Sequence, residues 1–96
     1  MIIEMKKFGS ILSSRQSGKE ALAAFSPNIN SMSNEEKIYI NFDGLDVFSP
    51  SWGYEFLTAL HKKFGDRLIL KGSNNGSVNA SIKMLEEANN IKFNIQ

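Results

Sequence analysis

Few side chains in this sequence have the makings of a reacting group. His61 is the one histidine and cysteine is absent, so thiolate chemistry, disulfides and the usual His/Cys zinc sets are excluded. His61 precedes Lys62 and Lys63 and reads as a surface residue on a basic helical face. Serines are frequent, but none stands in a Gly-x-Ser-x-Gly elbow. The acidic pairs Glu35-Glu36 and Glu86-Glu87 are sequence neighbours, which on a helix do not face each other, so neither makes an acid–base dyad by itself. Gly72-Ser73-Asn74-Asn75-Gly76-Ser77 follows an apolar triplet and precedes a helical pattern, as a phosphate loop would. It lacks both the lysine that follows the second glycine of a Walker loop and the three-glycine dinucleotide pattern, and it reads as a turn.

The distinctive stretch runs from Phe42 to Phe56. It passes from an apolar strand through the turn Asp43-Gly44 to Ser49-Pro50-Ser51-Trp52 and Glu55 at a helix start. In open α/β sheets, sites lie just beyond the carboxyl ends of the strands, which is where this segment falls. Ser51 stands near the positive end of the helix dipole, where a phosphoryl group, with its charge of about −1.5 to −2, would be favoured. Ser51, Trp52, Tyr54 and Glu55 are therefore the expected contact surface, with Ser14, Arg15, Asp43 and Ser49 in support. Each also has a plainer use. Ser49, Ser51 and Ser14 can cap helices, Trp52 can be core, Asp43 can close a turn, and Arg15 can pair with Asp43 or Glu55.

The elements that must hold these residues follow from periodicity. Met1–Phe8 reads as an N-terminal strand and Ile11-Leu12 as a short extended piece. Ser17 through Glu20 has capping-box spacing, with Ser14 the competing cap. The helix that follows carries Ala21, Leu22 and Phe25 and is expected to stop at Ser26-Pro27, giving way to a loop over Asn28–Glu36. Lys37–Phe42 is the clearest strand, a near-continuous apolar run. Ser49-Pro50 opens a helix whose Trp52, Phe56, Leu57, Leu60 and Phe64 share a stripe. Arg67–Lys71 is a strand. Ser77 is expected to cap a third helix with Val78, Ile82, Leu85 and Met84 inside, and Ile91–Ile95 alternates as a last strand. The order β-α-β-α-β-α-β predicts an α/β fold with a mainly parallel sheet of about four strands and three helices.

Composition sets the frame. Ninety-six residues, 42% apolar and 22% charged, are expected to form one domain of ordinary globular make-up. Eleven basic against ten acidic residues leave a charge of +1, which lacks the basic excess of an electrostatic nucleic-acid binder. The opening residues Met1 to Lys7 are too short and charged to read as a secretory signal. No apolar run approaches the roughly 20 residues of a spanning helix, so no membrane role is expected and a cytoplasmic location is.

Three pieces together carry a family resemblance. They are Phe8-Gly9 with Leu12, Ser14-Arg15 and Gly18; Ile40-Asn41-Phe42-Asp43-Gly44-Leu45; and Ser49-Pro50-Ser51-Trp52 with Glu55. The chain resembles STAS domains, the fold of anti-sigma factor antagonists, and more closely the small STAS-like domains of bacteria and phages. The antagonists carry a phosphorylatable serine directly before a glycine. Here Trp52 precedes Gly53, and Ser51 lies one position earlier. The resemblance implies a STAS-like fold and a regulatory, non-enzymatic role without cofactor or metal, namely docking a protein partner, in some cases a histidine-kinase-like ATPase. The residues leave two alternatives open: a small-ligand or nucleotide sensor using the same strand ends, and a homodimer joined through an exposed edge strand.

Overall fold

A computed structural model describes residues 1–96. Its main sheet has four strands, β1 (Ile2–Glu4), β3 (Ile38–Asn41), β5 (Leu68–Leu70) and β6 (Asn94–Ile95), in that spatial order and all parallel. Two further short strands, β2 (Ile11–Leu12) and β4 (Val47–Phe48), pair in parallel as a separate ladder. Each follows a main-sheet strand in sequence, β2 after β1 and β4 after β3. Three helical rods accompany them: α1 (Arg15–Asn30), a composite second rod, and α4 (Gly76–Asn89). The expected α/β class, parallel sheet and three helices are all present.

The second rod has three parts. α2 (Pro50–Gly53) runs into a π-helical turn over Tyr54–Thr58 and then into α3 (Ala59–Phe64). The spacing of its core residues accounts for the π turn. Trp52, Phe56, Leu60 and Phe64 recur every four residues and are all buried. In a pure α-helix such a series drifts by about 40° per step around the axis. The wider π turn takes back part of that drift and keeps all four on one core. Gly65 ends the rod at φ 57°, a backbone region that side chains avoid.

The rods lie in one layer. The second rod packs between α1 and α4, and all three share a core with Ile3, Ile38, Ile40, Leu68 and Leu70. The opposite face of the sheet lies outside that shared core, although Ile69 on it is buried. On it Ile2, Tyr39, Ile69 and Asn94 stand in register across the four strands, and Asn41 Nδ2 donates to Glu4 Oε2 at 2.8 Å. The core is strongly aromatic, with Phe8, Phe25, Phe48, Trp52 and Phe56 in mutual ring contact at 5.1–6.5 Å.

Several boundaries differ from the sequence expectation. β1 stops at Glu4, and Met5–Phe8 is a 3₁₀ turn that sends Met5 into the core and places Phe8 against the ring cluster. α1 does not stop at Pro27 but continues to Asn30. Tertiary packing overrides the proline there, because the extra turn buries Ile29. Its cap is Ser14, whose Oγ accepts from Ser17 N at 3.1 Å, and Ser17 is spent elsewhere. α4 is capped by Asn75 and not by Ser77. Asn75 Oδ1 accepts from Ser77 N at 2.8 Å and Val78 N at 3.1 Å, while Asn75 Nδ2 donates to Leu45 O at 2.9 Å. Met84 is 56% exposed and does not belong to the interior. The last strand is only Asn94–Ile95, with Phe93 buried just before it.

Candidate functional site

Two close crossings set the geometry around Ser49–Glu55. At the first, α1 meets α2 through Gly18. A Cβ on Gly18 would lie 2.7 Å from the Trp52 carbonyl oxygen, so only glycine permits this approach. At the second, α2 meets α4 through Gly53, where a Cβ would lie 2.9 Å from Leu85 Cδ1 and 3.0 Å from the Phe48 ring. The helix start is thus wedged between its neighbours, with Gly18 and Gly53 as the contact points.

Hydrogen bonds then fix the register. Ser49 Oγ accepts from Trp52 N at 3.2 Å, the N-cap bond expected of serine before Pro at the first helical position. The same hydroxyl donates to Ser13 O at 2.7 Å, which ties the α2 start to the α1 start. Ser17 Oγ accepts from the Trp52 indole at 3.3 Å. Behind them, Ser77 Oγ accepts from Phe48 N at 3.1 Å, and Ser81 Oγ donates to Phe48 O at 2.6 Å. Strand β4 is therefore held by α4 side chains on both its amide and its carbonyl.

The structure gathers Ser51 and Tyr54 of the expected contact residues, and Arg15 of the supporting ones, around one shallow groove of about 220 Å³ between the α2 start and α4. Arg15 Nη1 donates to Glu55 Oε1 at 3.4 Å, and its guanidinium lies 5.4 Å from the Tyr54 ring centroid. Of the two pairings open to Arg15, the one with Glu55 forms. Arg15 is the exposed member, at 54% against 15% for Glu55, so the pair is a rim feature worth about 0–1 kcal/mol.

The remaining expected residues lie elsewhere. Trp52 is fully buried, stacked among the core rings, and cannot touch a partner; its plainer use as core is the one it has. Asp43 is exposed on the turn after β3, where its amide donates to Asn41 Oδ1 at 3.1 Å. It does not line the groove. Ser14 and Ser49 serve as caps.

The groove also has a wall that sequence reasoning missed. Met84, Leu85, Ala88 and Asn89 of α4 line it opposite Pro50 and Tyr54. A signal for this was present. Ala80, Met84 and Ala88 recur every four residues along the border of the buried set Val78, Ile82 and Leu85, and an exposed apolar strip beside the core side of a helix is unspent on folding. Thr58, in the π turn, was also unmarked. It is 3% exposed and its hydroxyl has no hydrogen-bond partner.

No three His, Asp or Glu side chains gather within reach of one metal ion. No helix is long and apolar enough to cross a membrane. Fold and groove together define a two-layer α/β domain with an open, half-apolar surface at a helix start. No family model, curated protein or solved structure matches the chain.

Proposed function

We propose that this is a non-catalytic regulatory module of STAS-like type that docks a protein partner through the surface around Ser49–Glu55. The observation that carries the reading is the groove itself. Tyr54 is 38% and Met84 56% exposed, side by side with the Arg15–Glu55 pair and Ser51 on the rim. An aromatic and a methionine at the centre with an arginine at the edge is the make-up of a protein-binding surface. The groove is smaller than the roughly 300–1,000 Å³ usual for small-ligand sites, which favours docking over ligand sensing. The STAS resemblance adds a histidine-kinase-like ATPase as the partner class to seek first, and Ser51 as the serine whose phosphorylation would change the rim charge.

The test is a pull-down from native lysate, with and without Mg-ATP, followed by intact-mass measurement of the bait. Tyr54→Ala and Ser51→Glu should each weaken capture of the partner by about tenfold, the scale of a loss of about 1.4 kcal/mol. Lys37→Ala, away from the groove, should leave it unchanged. Equal capture by the parent chain, Tyr54→Ala and Ser51→Glu would remove this surface from consideration.

A further inference from the structure

We infer that the groove and the exposed face of α4 dock a second copy of this chain, with the two α4 helices antiparallel; the choice of surface rests on the docking reading above. The α4 face is self-complementary. Met84 lies at the middle of its apolar strip, with Ala80 one turn before it and Ala88 one turn after, all three exposed. Beside the strip stand Lys83 and Glu87, exposed on the same flank and without an ion-pair partner, since the chain's two salt bridges lie elsewhere.

A two-fold axis close to Met84 and Leu85 sets two such helices antiparallel. Ala80 of each copy then faces Ala88 of the other, and the small side chains let the helices approach around the two methionines. The same axis keeps the Lys83/Glu87 flanks of both copies on one side. Lys83 of one copy therefore meets Glu87 of the other, twice over. A parallel pairing would instead put Lys83 level with Lys83 and Glu87 level with Glu87. An isologous contact needs this kind of matching of a patch to itself. The second copy's α4 also lies over the groove, where its Met84 meets Tyr54 and Pro50. The patch is small beside the roughly 20–30 residues a side of a stable interface, so the dimer is a reversible one that forms at about tens of micromolar.

Sedimentation equilibrium of the intact chain tests this without any heterologous partner. The average mass should climb from 10.7 kDa towards twice that value as concentration rises through the micromolar range. Glu87→Lys should weaken association by about tenfold, since both cross-pairs turn repulsive. Adding Lys83→Glu to it should restore association. Both positions are exposed, and lysine near a helix C-terminus is favourable, so the folds should survive, which circular dichroism would check. A constant 10.7 kDa at every concentration overturns the inference, as does a dimer indifferent to Glu87→Lys or one that the double change fails to rescue. If the chain stays monomeric while Tyr54→Ala still abolishes capture of another protein, self-docking is wrong and the docking surface stands. If the dimer forms as described and Tyr54→Ala leaves capture intact, the reverse holds.

Discussion

Gly18 and Gly53 occupy equivalent places, one at each crossing of the α2 start, yet they differ in what a methyl group would meet. At Gly18 the obstacle is backbone, the Trp52 carbonyl at 2.7 Å, and it cannot turn aside. At Gly53 the obstacles are a leucine methyl and the edge of a ring, which can shift. Gly18→Ala should therefore cost about 2–3 kcal/mol, as overpacking against fixed structure does. Gly53→Ala should cost about 1 kcal/mol, because the gain in helix propensity of alanine over glycine offsets part of the strain. Denaturant unfolding would rank the two, and the reverse order would contradict this account. Thr58 makes the opposite prediction. Its hydroxyl is buried without a partner, and valine has nearly the same shape. Thr58→Val should raise stability by about 1 kcal/mol, since a buried unsatisfied hydroxyl is a net cost. A loss of stability would mean that this hydroxyl finds a partner in solution.

Among the elements, α1 shows most clearly where local rules give way. Proline inside a helix removes one backbone bond and crowds the preceding turn, yet α1 passes Pro27 to bury Ile29 in the core. Pro27→Ala should stabilise the domain by about 1 kcal/mol or more, with the gain limited by the greater freedom of the unfolded chain. Thermal unfolding would register it as a higher midpoint. Much of the fold was legible because the apolar spacing carries it. The stripe Trp52, Phe56, Leu60 and Phe64, the strand Ile38–Ile40 and the triplet Leu68–Leu70 each announce a core element. The ends were less legible, since they are set by long-range contacts. Asn75, not the serine two residues on, caps α4, because its amide also reaches the Leu45 carbonyl 30 residues away. No local pattern reports such a bond. The candidate site was half legible for the same reason. Its α2 side follows from the serine–proline helix start. Its α4 side is marked only by the strip Ala80, Met84 and Ala88, and what that strip faces follows from the Gly53 crossing.

At the scale of the whole molecule, one helical layer serves a four-stranded parallel sheet, and the sheet's other face carries a cross-strand row from Ile2 to Asn94. The central strands β3 and β5 are the best protected. Ile38, Ile40, Leu68 and Leu70 are all essentially inaccessible, and each strand has a neighbour on both sides. Amide hydrogen exchange should accordingly be slowest in these two strands and in the rod packed on them. It should be fastest over Ser31–Glu36 and at the edge strand β6, where few bonds must break for exchange. Phe93 is the exception at that edge, because its side chain is buried in the core while its amide donates to Glu86 Oε2 at 2.8 Å. Phe93→Ala should cost about 3–4 kcal/mol and spread fast exchange into β5. Exchange in β5 unchanged by that substitution would show that β6 is not needed to close the sheet.

The parallel order of the sheet also governs how the chain comes to be folded. No two neighbouring strands are joined by a hairpin, and every pairing spans an intervening helix. Ile2 meets Tyr39, Tyr39 meets Ile69, and Ile69 meets Asn94, so each step closes a loop of some 25 to 37 residues. Such topologies assemble more slowly than those built from local contacts. On a ribosome, β1 has no partner until β3 has emerged, and β5 gains its second neighbour only once β6 has followed. Until β6 emerges the nascent chain therefore presents apolar strands with open edges, and its yield in a cell depends as much on what shields those edges as on the stability of the finished fold.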